Sequence, residues 1–141
     1  MDELETARQC GEVMWEKDKA SQALGISVDI PAAGAAVAKM RVRDDMVNGL
    51  DVCHGGLIAA LADTAFAFAC NAYDQVTVAA SVQIEFLRPA LLGDELVASA
   101  REDHRGRKNG YYTVEVRNQG SDLVALFHGR SVGTGKPLIS G

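Results

Sequence analysis

The stretch from Asn48 to Asn71 reads NGLDVCHGGLIAALADTAFAFACN. From Leu57 onward it is almost all alanine and large apolar residues, so it reads as a helix made to be buried. A helix that is apolar nearly all round has to be covered on most of its sides. Gly55-Gly56 opens it, and it is expected to run to about Asn71. Asp63 stands in its middle, one residue before Thr64. A carboxylate in an apolar helix is costly unless it is paired or useful.

Upstream, residues 3–24 have helical spacing, with Leu4, Ala7, Val13, Met14 and Leu24 on the periodic positions and Gly25 as the stop. Ile26, Val28 and Ile30 then alternate with smaller or polar residues, and 37–42 alternates again, which predicts a two-stranded hairpin around Pro31–Gly34. Residues 43–54, with Asp44, Asp45, Asn48, Gly49 and Asp51, read as a loop. After the helix come four strand patterns: VTVAASVQIEFLRP closed by Pro89, DELVASAREDHR, NGYYTVEVRNQ and DLVALFHGRSVG. In the third, Tyr112, Val114 and Val116 share one face, and Thr113, Glu115 and Arg117 the other. Gly93-Asp94, Gly106 with Asn109-Gly110, and Gly120 supply the turns. Residues 134–141 read as a frayed tail. Hairpin-connected strands imply an antiparallel sheet. The pattern is therefore α+β: one domain over 1–141, a curved antiparallel sheet wrapped round one central hydrophobic helix.

Composition narrows the function. The chain has 141 residues, 48% of them hydrophobic, and a net charge of −5. That charge argues against a general nucleic-acid or anionic-membrane surface, but not against a local basic site. The apolar run Leu57–Cys70 is too short for a membrane span and is interrupted by Asp63 and Thr64. Cys10, Cys53 and Cys70 are odd in number and lack CxxC spacing, and the acidic start MDELETARQC has no apolar export core. Reduced thiols and a cytoplasmic setting are the expectation.

The quoted stretch, followed by SVQIEFLRPALLGDEL, resembles the hotdog-fold acyl-CoA thioesterases, in the branch associated with phenylacetate degradation, the PaaI-like thioesterases. The similarity covers about residues 45–135. Its motif is an Asn (Asn48), then His-Gly-Gly (His54 to Gly56), an Asp in the helix (Asp63), and a Ser on the next strand (Ser81). The resemblance implies hydrolysis of acyl-CoA to acid and CoA, a homotetramer built as a dimer of dimers, no metal, and no cofactor beyond the CoA carried by the substrate. It favours phenylacetyl-CoA or a ring-hydroxylated relative.

The residues themselves fit that chemistry. Thioester hydrolysis needs a group that polarises the carbonyl and a base or nucleophile that delivers the attack. The free N–H groups at a helix start carry partial positive charge, and Gly55, lacking a side chain, lets a carbonyl approach. Asp63 can attack the carbonyl or deprotonate water. These two residues are eight positions apart on one helix, roughly 12 Å. One carbonyl cannot touch both, so a shared thioester requires two chains, and a symmetric dimer would present each pair twice.

Asn48 is a candidate for holding the nucleophile or a water, and equally a turn former in Asn-Gly. His54 is a candidate for orienting the thioester, or only a local hydrogen-bonding residue. Ser81 carries, by the resemblance, a water-positioning role near the carboxylate; its plain alternative is a strand-surface hydroxyl. Thr64 points about 100° away from Asp63 round the helix. The turn HRGRKNG clusters Arg105, Gly106, Arg107 and Lys108, which suit the phosphates of CoA or, more simply, a solvated turn; Arg88 and Arg130 are secondary candidates. Cys53 and Cys70 read as small apolar fillers, and His104 and His128 as surface or sheet residues. Two rival readings remain: a hotdog hydratase or dehydratase, recognised by water addition to crotonyl-CoA, and a non-catalytic CoA-ester binding module, which would not need Asp63.

Overall fold

The computed structural model describes residues 1–140. Its centre is helix α3, Gly55–Cys70, with Asn71 as the capping residue. Around it wraps a six-stranded antiparallel sheet in the order β1-β2-β4-β5-β6-β3. The strands are β1 (Ser27–Ala32), β2 (Ala35–Arg41), β3 (Thr77–Phe86), β4 (Glu95–Arg105), β5 (Asn109–Arg117) and β6 (Leu123–Gly133). β1 and β3 are the two edges.

The sheet packs on α3 through the side chains that the alternation selected. Tyr112, Val114 and Val116 of β5 are buried. The ring of Phe66 on α3 meets Tyr112 edge-on at 5.5 Å and Phe127 at 5.7 Å between centroids. Gly129 on β6 is what makes room: a methyl group there would stand 2.9 Å from the Phe66 ring. The C-terminal end of α3 is clamped to β3, because Asn71 Nδ2 donates to the Thr77 carbonyl (2.9 Å) and Asn71 Oδ1 accepts from the Thr77 N–H (2.8 Å). Helix and first strand of the wrap are thus locked at the point where the chain reverses.

The N-terminal helix differs from the expected continuous helix over 3–24. It breaks into α1, Glu3–Lys17, and α2, Lys19–Ala23. The break is at Asp18, whose N–H closes α1 on the Trp15 carbonyl (3.2 Å) and whose Oδ1 accepts from Ser21 N (3.0 Å) to cap α2. Apolar spacing does not register a carboxylate that prefers to cap rather than continue. Gly25 ends α2 with φ +71°, as expected.

Two further expectations shift. Pro31 lies inside β1 rather than in the turn, which falls at Ala33-Gly34 with Gly34 at φ +82°. An edge strand with a register shift between Asp29 and Ala32 tolerates a residue without an N–H. Residues 134–140, expected to fray, are tied down. Val76 N donates to the Lys136 carbonyl (2.8 Å), and Asp74 Oδ1 accepts from the N–H groups of Leu138, Ile139 and Ser140. Those bonds, led by that of Ile139, hold the Asp74 carboxyl below its ordinary value. No helix among the described residues is long and apolar enough to cross a membrane.

The Phe66–Gly129 contact is testable. Gly129→Ala would force a ring already wedged between two aromatics, and we expect a loss of about 1–3 kcal/mol in chemical denaturation. An unchanged midpoint would mean that the ring moves aside freely.

Candidate active site

The start of α3 is built by the loop before it. Cys53 N–H donates to the Ala90 carbonyl and His54 N–H to the Met46 carbonyl, both at 2.8 Å, fixing the chain direction as it enters the helix. His54 is the capping residue: its Nδ1 accepts from Gly56 N–H (3.3 Å), and its carbonyl accepts from Leu57 (2.9 Å) and Ile58 (3.3 Å). Of the first-turn donors, the N–H of Gly55 makes no hydrogen bond among the described residues. An unsatisfied, partly positive N–H at a helix start is a preformed site for a developing oxyanion. The Phe86 ring lies 3.3 Å from where a Gly55 side chain would begin, so it walls one side of that donor.

Asn48 is held in the same loop. Its Oδ1 accepts from Leu50 N (2.8 Å) and Val52 N (3.4 Å), so its carbonyl half does the work of a turn former, while its amide N–H₂ makes no bond among the described residues. A cleft of about 310 Å³ opens beside the helix start, lined by Asp45, Met46, Val47, His54, Gly56 and Leu57. Asp63 does not line it.

Asp63 is not enclosed in the core. It is the exposed residue in an otherwise buried helix segment, on a stripe with exposed Gly56 and half-buried Ala59, Ala60 and Ala67. The sheet, together with α1 against Phe68 and α2 against Thr64, covers the rest of α3 and leaves this stripe open. Desolvation by the surrounding protein nonetheless raises the Asp63 carboxyl above its ordinary value, and the charge of Asp18 raises it further. Thr64, its neighbour, turns inward to donate to the Ala60 carbonyl (2.8 Å).

Ser81 is placed where the resemblance does not lead one to look. It pairs with Arg130 across β3 and β6, while the flanking Gly129 faces Phe66 and α3. Paired residues share a face, so Ser81 projects on the side of the sheet away from α3. The cause is a bulge at Ala80, between Ala79 and Ser81, which shifts the alternation by one residue. Ser81 therefore does not meet Asp63 of its own chain; the helix-facing positions beside it are Ala79 and Val82.

The basic turn sits beyond the far end of α3. Arg105, Gly106, Arg107 and Lys108 border a small hollow with Cys70, Tyr73, Thr77 and Ser131. Arg105 is engaged, its guanidinium 3.6 Å above the Tyr73 ring. Arg107 and Lys108 are exposed and have no ion-pair partner among the described residues. Arg88 does not join them. It follows Phe86, at the Gly55 end of the sheet, and pairs with Asp122 at 2.7 Å. Arg130 is bonded to Asn109 Oδ1 at 2.9 Å. Cys53 lacks an activating base: burial pushes its thiol up, and its Sγ donates to the His54 carbonyl (3.7 Å).

A helix inside a curved antiparallel sheet, with a free N–H at its first turn and a carboxylate on its open stripe, defines a hotdog domain equipped for thioester chemistry. The comparisons agree. The family model described as the thioesterase superfamily matches residues 50–125, and the chain belongs to that family. It is 45% identical to the acyl-coenzyme A thioesterase PaaI of Escherichia coli (strain K12), over 89% of each chain. The solved structure of Escherichia coli PaaI, from the phenylacetic acid degradation operon, superimposes with a TM-score of 0.94 at 42% identity, covering 96% of this chain and 99% of that one. A Streptococcus mutans protein solved bound to acetyl CoA matches with a TM-score of 0.76 at 27% identity, over 79% of this chain and 90% of its own. The chain is a PaaI-like hotdog acyl-CoA thioesterase.

Sequence reasoning passed over Asp18 and Phe86. Asp18 was visible as an acid inside a helical run; Phe86 carried no signal beyond its place in a strand. The capping role of His54 predicts that His54→Ala costs about 1 kcal/mol in thermal or chemical unfolding and that His54→Asn, a good capping residue, recovers most of it. Equal stability of all three would show that the Nδ1 bond contributes nothing.

Proposed function

We propose that this enzyme hydrolyses phenylacetyl-CoA, or ring-hydroxylated phenylacetyl-CoA, to the free acid and CoA at sites shared between two chains. The observation that carries this is the pairing of a free Gly55 N–H with an open, proton-avid Asp63 on the same helix, about 12 Å apart. In the proposed reaction the thioester oxygen accepts from Gly55 N–H of one chain. Asp63 of the other removes a proton from water as the water adds to the carbonyl. The tetrahedral intermediate then collapses, the C–S bond breaks, and the proton passes to the leaving thiolate. A carboxyl held above its ordinary value suits that base role.

The exposed edge supports the shared site. β3 is ten residues long and exposed along nearly all of it, with Val78, Val82 and Phe86 each about half accessible or more. Such an edge is a template for another strand. Antiparallel pairing of β3 with its copy about a two-fold axis would set two α3 helices side by side in opposite directions, Gly55 toward Asp63, twice. We further propose that such dimers pair into a homotetramer. The basic turn of the chain supplying Asp63 then suits the CoA phosphates. It adjoins Cys70, seven residues or about 10 Å beyond Asp63, and offers Arg107 and Lys108. The amide of Asn48 is free to hold substrate or water. The reaction as proposed uses no cofactor, and the buried, unpaired Cys10, Cys53 and Cys70 suit a cytoplasmic setting. The aryl-acetyl preference is supported by the likeness to Escherichia coli PaaI.

Thiol release from a panel of acyl-CoAs tests the reading. Asp63→Asn is expected to lose at least about a hundredfold in kcat. Gly55→Pro removes the N–H at a first-turn position where the preceding ψ of 129° admits proline and the exposed Phe86 ring, 3.3 Å from the new Cβ, has to shift slightly, and it is expected to lose about 10²–10³. Phenylacetyl-CoA should rank first. Water addition to crotonyl-CoA, or binding without turnover that survives Asp63→Asn, would replace this reading with a hydratase or a binding module.

A further inference from the structure

The basic turn is tied to the core by a chain of side chains that runs through Tyr73. β4 carries a bulge at Asp103, between Glu102 and His104, which shifts the alternation by one residue. Glu102, paired with Tyr112, and Arg105, paired with Gly110, therefore share the helix-facing side of the sheet. Tyr73, in the loop after α3, meets both. Its hydroxyl donates to Glu102 Oε1 at 2.8 Å, and its ring centroid lies 3.6 Å from the Arg105 guanidinium carbon. Glu102 is itself held: the same oxygen accepts from the Tyr112 hydroxyl at 2.8 Å, and its N–H donates to the Gly34 carbonyl at 2.9 Å. Gly34 keeps the corner open, since a side chain there would begin 3.0 Å from the Tyr73 hydroxyl. Tyr112 in turn packs edge-on against Phe66 of α3.

A guanidinium held by its flat face keeps its donors. The five N–H groups of Arg105 lie in the guanidinium plane, and stacking on Tyr73 uses none of them. Arg105 has no ion-pair partner among the described residues. Arg130, by contrast, spends a donor on Asn109 Oδ1. The turn is closed by Gly106 N–H to the Asn109 carbonyl and by Gly133 N–H to the Lys108 carbonyl, both at 2.8 Å, and it leaves Arg107 and Lys108 exposed. Burial, and then the bond to Glu102, push the Tyr73 hydroxyl up to about 12, so the proton that joins the two residues stays in place. A cation fixed in direction with its donors unspent is preorganised for the oxygens of a phosphate.

We propose that Tyr73, braced by Glu102, is a positioning residue that fixes Arg105 as a fork for a phosphate of the CoA ester. This rests on the reading of the basic turn given above. The test is the separate measurement of KM and kcat for thiol release from phenylacetyl-CoA and from the phenylacetyl thioester of N-acetylcysteamine, which carries no phosphate. Tyr73→Leu keeps apolar bulk and removes the π face. It should raise KM for phenylacetyl-CoA about five- to tenfold with kcat held, and leave the kinetics of the phosphate-free ester as in the parent. Tyr73→Phe, which keeps the ring and loses the bond to Glu102, should recover most of the loss. Phenylacetyl-dephospho-CoA separates two sources of phosphate: a KM rise retained on that ester assigns the fork to the pyrophosphate, and a rise lost there assigns it to the 3′-phosphate. Equal KM for phenylacetyl-CoA in an active parent and Tyr73→Leu, or an equal rise on the phosphate-free ester, would overturn this proposal alone. A parent with the same KM for both esters would overturn the phosphate reading of the turn with it, and a parent inactive on every thioester would overturn the hydrolytic reading as well.

Discussion

A rigid helix cannot bring two of its own residues together when they are two turns apart. In α3 this is a constraint on chemistry. Gly55 offers the unsatisfied donor and Asp63 the carboxylate, and the helix holds them about 12 Å from each other. Much of the molecule can be understood as managing that separation. The sheet and the two N-terminal helices cover α3 on all sides but one, and the uncovered stripe is the one carrying Gly56, the alanines and Asp63. Small residues there let another surface come close. The β3 edge, long and unprotected, offers the means of bringing it.

The helix start depends on a division of labour among four N–H groups. His54 supplies acceptors for Gly56, Leu57 and Ile58 through its ring and its carbonyl. What it leaves unpaired is the N–H of Gly55, a residue without a side chain. A histidine in this position therefore has a structural effect whose consequence is chemical: it concentrates the free donor at Gly55. At the opposite end, Asn71 clamps α3 to β3 through both halves of its amide. The helix is fixed at each end, and the distance between donor and carboxylate is fixed with it.

Much of this was legible in the sequence, because it is written in local pattern. The Leu57–Cys70 run, the four long strands and the Gly-bearing turns all follow from periodicity and turn chemistry, and the HGG-to-Asp spacing pointed to the candidate site. What escaped depends on contacts distant in sequence. Asp18 breaks a helix that apolar spacing would continue, because its carboxylate and its N–H both find capping bonds. Ser81 lies on the far face because one extra residue, Ala80, shifts the alternation, which no pattern of residue types announces. The tail is held by Asp74, more than sixty residues away along the chain from its partners. Asp63 looked enclosed in the helix text and is exposed in the single chain, since a helix alone does not say which of its sides the sheet omits.

The claim on which the account turns is that each site takes Gly55 from one chain and Asp63 from another. Subunit complementation tests it directly. Gly55→Pro and Asp63→Asn chains, each nearly inactive alone, are unfolded together and refolded as a mixture, then assayed for thiol release. The account predicts recovery of about a quarter of the parental rate, since half of randomly paired dimers are mixed and each of those carries one intact site of two. A mixture no more active than its two components would contradict it and place both residues' roles within a single chain.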